Sequence, residues 1–168
     1  LGLGRTGLSS ARYLDRRGLE VRVADTRSAP PGLAALREQV PRADIRTGAF
    51  GSALLEGVAQ VVISPGLSLR EPVATEALSR GLPVVGDIEL FAREARAPVA
   101  AITGTNGKST VTALLAEIAN AAHRPALAGG NLGEPALDLL ERPVPGLYVL
   151  ELSSFQRETT HSLETTTA

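Results

Sequence analysis

Apolar runs of four to six residues recur along this chain with helix-length amphipathic stretches between them, and no other property of the sequence restricts its fold as strongly. Strands alternating with helices predict βα units wound around a parallel sheet. The strands expected are VRVAD (21–25), VVIS (61–64), LPVVG (82–86), PVAAIT (98–103), ALAG (126–129) and LYVLEL (147–152). The clearest helix covers 109–122, where Val111, Leu114, Leu115, Ile118, Ala119 and Ala122 form one stripe at a period of about 3.6 residues. Another covers 7–17 and stops at Gly18, with Arg16 and Arg17 at the end that suits cations. Pro30-Pro31-Gly32 marks a turn before a third helix, and Gly81 ends a fourth.

A boundary is expected within DIELFAREARAP (87–98), a short helix that leaves through Ala97-Pro98 into a new strand. Each side of it carries its own glycine-rich turn. The reading is therefore α/β throughout, with a Rossmann-like parallel-sheet domain over 1–88 and the first part of a P-loop α/β domain over 89–168. Leu1-Gly2 opens inside what should be the tail of a strand, and HSLETTTA closes no element, so a piece of a longer chain is expected.

Composition narrows the function classes. Hydrophobic residues make up 43% and charged residues 21%, values of a globular chain and not of a disordered one. The net charge of −1 favours neither a nucleic acid nor an anionic membrane as partner. Cysteine is absent, which removes disulfides and thiolate metal sites. No apolar run approaches the roughly 18 residues of a membrane span, so no membrane partner and a cytoplasmic location are expected.

Three features carry chemistry. Gly2-x-Gly4-x-x-Gly7 opens the first helix, and Asp25 ends the next strand, 18 residues beyond Gly7. That spacing belongs to nucleotide-binding turns: the glycines let a diphosphate approach the helix N-terminus, and the acid accepts from a ribose or base. The plainer alternative is a helix that needs small residues to pack on its sheet. Next comes Gly104-Thr105-Asn106-Gly107-Lys108-Ser109, which follows a strand and begins a helix as a phosphate loop must. It is shorter than G-x-x-x-x-G-K-[ST], with Ile102 where the first glycine would stand. Backbone N–H groups in such a turn form an anion nest. Lys108 would lie along the β- and γ-phosphates and Ser109 would ligate Mg²⁺. A solvent-facing lysine is the alternative, although a cation in a helix's first turn is mildly unfavourable.

Glu151 is the third feature, a carboxylate ending the apolar run LYVLEL. Burying a charge there is costly unless it meets a cation or donors. At the ligand edge of an α/β sheet, beside a phosphate loop, it is a natural Mg²⁺ ligand. An edge-strand glutamate reaching water is the alternative. Asn131 in AGGNLG and the SPG turn at Ser64–Gly66 stand at similar strand ends and read equally well as turn residues. His123 and His161 read as surface residues.

Taken together, TGTNGKST, GDIELF, GGNLG and LELSSFQ, in this order and spacing, resemble the Mur ligases of peptidoglycan synthesis. DTR at 25–27, SPG at 64–66 and LELSSFQRETT most resemble the members that add D-glutamate. The likeness covers essentially the whole chain and explains the shortened loop, since G-T-N-G-K-[ST] is that family's form. It implies that the fingerprint binds UDP, with Gly4, Arg5, Thr6 and Gly7 at the diphosphate. Asp25, Thr26 and Arg27 would hold the uracil end, and Pro65 and Gly66 would line that pocket. Asn131, Ser153 and Gln156 would approach the muramoyl substrate. Gly104, Thr105, Asn106, Gly107, Lys108, Ser109 and Thr110 would hold ATP, with Lys108 and Glu151 as the catalytic pair and Ser109 and Glu151 as Mg²⁺ ligands.

The implied reaction is ATP-dependent formation of an amide between UDP-N-acetylmuramoyl-L-alanine and D-glutamate through an acyl phosphate, with ADP and phosphate as products. Family members are longer, so this stretch alone is expected to be inactive, and a monomer is expected. Three alternatives remain at this point. A sibling ligase would add another amino acid, an NAD-dependent oxidoreductase would use the same fingerprint but leave 104–109 unexplained, and a non-catalytic nucleotide-binding module is opposed by the presence of both Lys108 and Glu151.

Overall fold

Gly2 donates its N–H to the Ala24 carbonyl at 2.8 Å, and the turn that follows delivers the chain into helix α1, Arg5–Arg16. This turn opens the first of two units, Leu1–Asp87 and Ile88–Ala168, into which the computed structural model divides, with residues 1–165 described.

In the first unit α1 is followed by β1 (Arg22–Asp25), α2 (Leu33–Gln39), β2 (Asp44–Thr47), a 3-10 turn (Ser52–Leu55), β3 (Val61–Val62), α3 (Pro72–Ser79) and β4 (Val84–Val85). Strands β1 and β2 pair in parallel from Arg22↔Asp44 to Asp25↔Thr47, and β3 and β4 pair in parallel at Val61↔Val84 and Val62↔Val85. Residues 1–3 link the two pairs. On one side Gly2 bonds Ala24; on the other Leu1 N donates to Val62 O, and Ser64 N donates to Leu1 O at 3.0 Å. Backbone hydrogen bonds thus run from β2 through β1 and residues 1–3 to β3 and β4, the parallel arrangement of a Rossmann-like sheet. Strand β2 is absent from the sequence reading because ADIRTG alternates weakly and its strand is half exposed.

Two apolar clusters hold this unit together. Leu3, Ala11, Val23, Leu36 and Val40 pack α1 and α2 against β1. Leu55, Val61, Ile63, Val73, Ala74, Ala77 and Val84 pack α3 and the 3-10 turn against β3 and β4. Helix α1 buries Ser9, Ser10, Ala11 and Tyr13, and its start lies close to the chain it leaves. Its tightest contact is at Gly7, where an added Cβ would sit 2.0 Å from the Gly2 carbonyl oxygen. No side chain fits in that gap.

Helix α4 (Asp87–Ala92) leads into the second unit, which continues with β5 (Val99–Ile102), α5 (Lys108–Ala121), β6 (Ala126–Gly130), α6 (Ala136–Leu139), β7 (Leu147–Glu151) and α7 (Ser154–Glu158). Its sheet is parallel in the order β5-β7-β6. The central strand β7 is buried along its whole length, and Phe91 of α4 meets Tyr148 edge-to-face at 5.0 Å between ring centroids. Register brings Ile102, Glu151 and Gly130 side by side, so the loops after all three strands leave from one line.

The apolar stripe expected on α5 is buried only in part, through Ala119 and the half-buried Leu115. Thr112, Ala116 and Ala119 are buried, whereas Val111, Leu114 and Ile118 are about half exposed and Ala122 is exposed. The sheet beneath presents Ala100, Ala126 and Ala128 together with Leu147 and Val149, and Ala116, Ala119 and Leu115 of the helix pack against them. Helical periodicity identifies an apolar stripe but does not say which of two adjacent stripes faces inward.

Gly7→Ala is expected to destabilise the protein by about 1–3 kcal/mol, the usual cost of forcing atoms into a filled space. Gly51→Ala is the control, since its Cβ would meet nothing within 4 Å. Equal chemical denaturation midpoints for the two variants would contradict this packing.

Candidate nucleotide-binding sites

In the first unit the N–H groups of Arg5, Thr6 and Gly7 precede the first intrahelical bond of α1, Leu8 N to Gly4 O at 3.0 Å. The positive end of a helix attracts an anion. The SPG turn lies beside them: Ser64 Oγ donates to the Gly2 carbonyl at 3.2 Å. Pro65 is half-buried and Gly66 exposed there. The sequence-selected glycine turn and SPG turn therefore form one edge.

Asp25 stands at the same edge but turns inward. Its carboxylate accepts from Leu3 N at 2.7 Å and from Arg27 through the backbone N at 2.9 Å, Nε at 2.8 Å and Nη2 at 2.7 Å. A carboxylate has about four acceptor positions, so these donors occupy its capacity. The Arg27 guanidinium holds the Asp25 carboxyl well below the usual carboxylate range, against the opposing effect of burial. Thr26 and Arg27 are exposed while Asp25 is 3% exposed. Asp25 thus orients Arg27 and fastens the glycine-rich turn, and the surface open to a ligand belongs to Thr26 and Arg27.

In the second unit the loop from Gly104 to Gly107 leads into α5, with Gly107 at its N-cap in the left-handed region (φ +75°) that favours glycine. Thr105, Asn106, Ser109 and Thr110 are exposed. Lys108 Nζ folds back onto the Gly104 carbonyl at 2.9 Å and so lies over the loop it follows.

Glu151 is 2% exposed at the end of β7, and each of its carboxylate oxygens has a donor. Ser109 Oγ donates to Oε2 at 2.7 Å, and Asn131 Nδ2 donates to Oε1 at 3.0 Å. Residues chosen separately from the sequence, 109, 131 and 151, thereby meet through one carboxylate. Asn131 meets Glu151 rather than standing alone in its turn. Ser153 and Gln156 have local partners: they form a capping box on α7, with Gln156 N donating to Ser153 Oγ at 3.2 Å and Ser153 N to Gln156 Oε1 at 3.1 Å. His123 and His161 are exposed.

Two buried acids, Asp87 and Glu89, were not singled out from the sequence. Glu89 of α4 is 1% exposed and accepts from His161 N at 2.7 Å, Ser162 N at 2.9 Å, Ser162 Oγ at 2.6 Å and Arg93 Nε at 3.0 Å. Burial pushes its carboxyl up, but the donors from Ser162, His161 and Arg93 together outweigh burial and bring it from 4.5 to about 2. The signal in the sequence is an acid between Ile88 and Leu90-Phe91 in a short helix.

Known proteins resemble this chain in sequence and in fold. Residues 1–86 match the family model described as Mur ligase MurD-like, N-terminal domain. The UDP-N-acetylmuramoylalanine--D-glutamate ligase of Nitrosococcus oceani is 61% identical over 168 residues, all of this chain and 37% of that protein. The ligase of the same name from Pseudomonas aeruginosa is 54% identical over 159 residues, 95% of this chain and 35% of that protein. The chain spans a little over a third of the length of these relatives. Among solved structures, a UDP-N-acetylmuramate:L-alanyl-gamma-D-glutamyl-meso-diaminopimelate ligase from Neisseria meningitides matches with a TM-score of 0.54 at 21% identity, covering 89% of this chain and 50% of that one. A murein peptide ligase from Psychrobacter arcticus matches with a TM-score of 0.53 at 20% identity, covering 90% and 36%. At such identities these two establish the fold alone.

Because the folded-state carboxyl of Glu89 is lowered, its contribution to stability is complete above 4.5 and is lost as pH falls toward about 2. Glu89→Gln is expected to cost about 1–3 kcal/mol at neutral pH by leaving buried donors poorly paired. The gap between wild type and variant should narrow through that acid window in denaturation curves. A gap that stays constant down to pH 2 would contradict the assignment.

Proposed function

The chain belongs to the Mur ligase family through its MurD-like N-terminal domain, and on that footing we propose that it is the leading part of the enzyme that joins D-glutamate to UDP-N-acetylmuramoyl-L-alanine at the expense of ATP. In this reading residues 1–88 bind the UDP-substrate and residues 89–168 begin the ATP-binding domain of a cytoplasmic, monomeric enzyme. Among the described residues no helix is long and apolar enough to cross a membrane. The substrate assignment is supported by the names of relatives up to 61% identical over the whole chain.

The observation that carries the ATP-using half is the meeting of Ser109 and Glu151 at 2.7 Å beside the phosphate loop. Mg²⁺ takes one or two protein oxygens and fills its remaining positions with phosphate and water. A hydroxyl and a carboxylate are the hard oxygen donors it needs, so Ser109 and Glu151 would hold it. Bound there, Mg²⁺ supplies charge neutralisation for the triphosphate.

The reaction implied transfers a phosphoryl group to the alanyl carboxylate, after which the D-glutamate amine attacks the acyl phosphate and phosphate leaves. The protein's share is positioning and charge stabilisation. Backbone N–H groups of 104–110 cradle phosphate oxygens, and Lys108 exchanges the Gly104 carbonyl for the β- and γ-phosphates. In the first unit Gly4, Arg5, Thr6 and Gly7 receive the diphosphate. Thr26 and Arg27, the latter held by Asp25, face the uracil end with Pro65 and Gly66. Asn131, Ser153 and Gln156 stand on the muramoyl side, the last two shaping it through the cap of α7.

In the full-length protein Lys108→Ala should lower ATP-dependent phosphate release about 100-fold or more, the scale on which losing one charge-stabilising donor acts. Binding of UDP-N-acetylmuramoyl-L-alanine should be retained. Undiminished phosphate release would show that the loop is not the catalytic one. Calorimetric titration with the UDP-substrate and with NADH tests the first unit: saturable heat is expected with the UDP compound alone, and heat with NADH alone would overturn the assignment. Asp25→Ala should weaken UDP-substrate binding by freeing Arg27.

A further inference from the structure

We infer that Asn131 is a positioning residue for Glu151, setting the plane of its carboxylate and thereby the affinity of the Ser109–Glu151 pair for the Mg²⁺ that accompanies ATP. The inference rests on the phosphate-loop reading and deepens it.

Asn131 is tied to Glu151 twice. Its backbone N donates to the Glu151 carbonyl at 2.8 Å, and its side-chain Nδ2 donates to Oε1 at 3.0 Å. The turn is built to allow this. Gly130, paired with Glu151 in the sheet, lies so close that an added Cβ would sit 2.4 Å from the Glu151 carbonyl oxygen. Gly130 N also bonds the Glu134 carbonyl at 2.8 Å, and the Glu134 side chain is paired with Arg142 at 2.7 Å. The amide therefore projects from an anchored turn, although Asn131 itself is exposed.

The last torsion of a glutamate is broad and roughly two-fold. One donor on one oxygen leaves the carboxylate free to swing about that bond. A second donor on the other oxygen removes that freedom. Ser109 supplies the first on Oε2 and Asn131 the second on Oε1. Removing the amide leaves Oε2 within reach of Ser109 but no longer held in one plane. Partners that orient a metal ligand in this way are worth about 10–100-fold in metal affinity.

The test is equilibrium binding of ATP to the full-length protein, titrated with Mg²⁺ in the absence of UDP-substrate and D-glutamate. Asn131→Ala should raise the Mg²⁺ concentration for half-saturation about tenfold. On a Glu151→Ala background the same substitution should produce no further shift, because its effect passes through the carboxylate. The near-isosteric Asn131→Leu fills the same space without the donor and should shift the midpoint equally. It keeps the test valid if the alanine variant melts early. An unchanged midpoint in both variants overturns the inference, whether or not UDP-substrate binding is weakened beside it. Equal shifts on both backgrounds overturn it as well, because Asn131 would then act independently of Glu151. A wild-type protein that binds no ATP at any Mg²⁺ concentration sinks the phosphate-loop reading and this inference with it.

Discussion

A buried carboxylate cannot keep its charge without donors, and the protein must supply the donors that water no longer provides. Asp25, Glu89 and Glu151 are each 3% exposed or less. Each is met by donors from segments without regular structure or from a helix's first turn. Asp25 takes Leu3 and Arg27, Glu89 takes His161 and Ser162, and Glu151 takes Ser109 and Asn131. The acids therefore fix the loops more than the strands do. A glycine-rich turn has little apolar surface to hold it, so a charge-assisted hydrogen bond to a rigid strand end is an effective anchor.

Parallel pairing decides where those anchors gather. In the second unit β7 lies between β5 and β6, and the register aligns Ile102, Glu151 and Gly130. Every loop that follows a strand end emerges beside the same carboxylate. Glu151 thereby connects the N-terminus of α5 with the turn after β6, and a ligand that engages Ser109 acts on both. In the first unit the same logic joins the turn after residue 3, the segment after β1 and the SPG turn after β3 through backbone bonds to residues 1–3. Ligands gather outside the carboxyl ends of strands in open α/β sheets for this reason.

Much of this arrangement was legible. Gly104, Gly107 and Lys108 between an apolar run and a helical one identified the loop, and an acid ending LYVLEL marked the strand end beside it. Other residues have structural partners that their spacing did not reveal or revealed only in part. Asp25 has the spacing of a ribose or base ligand, yet Arg27, two residues on, folds back and occupies its oxygens. Ser153 and Gln156 have the spacing of a capping box as well as the family's pattern, and the structure uses that spacing for α7. The inner face of α5 was legible in part: Ala119 is buried and Leu115 packs on the core as the periodicity suggests, while Thr112 and Ala116 face inward in place of Val111, Leu114 and Ile118.

The sequence by itself determined the alternation of strand and helix, the two glycine-rich turns and the family, because these depend on local order and spacing along the chain. Tertiary structure decided which carboxylate oxygen meets which donor. Ser109 and Glu151 are 42 residues apart and Asn131 and Glu151 are 20 apart. Their contact depends on the register of three strands and on the path of the chain between them, and hydrogen bonding over a few ångströms cannot be read from spacing along a sequence.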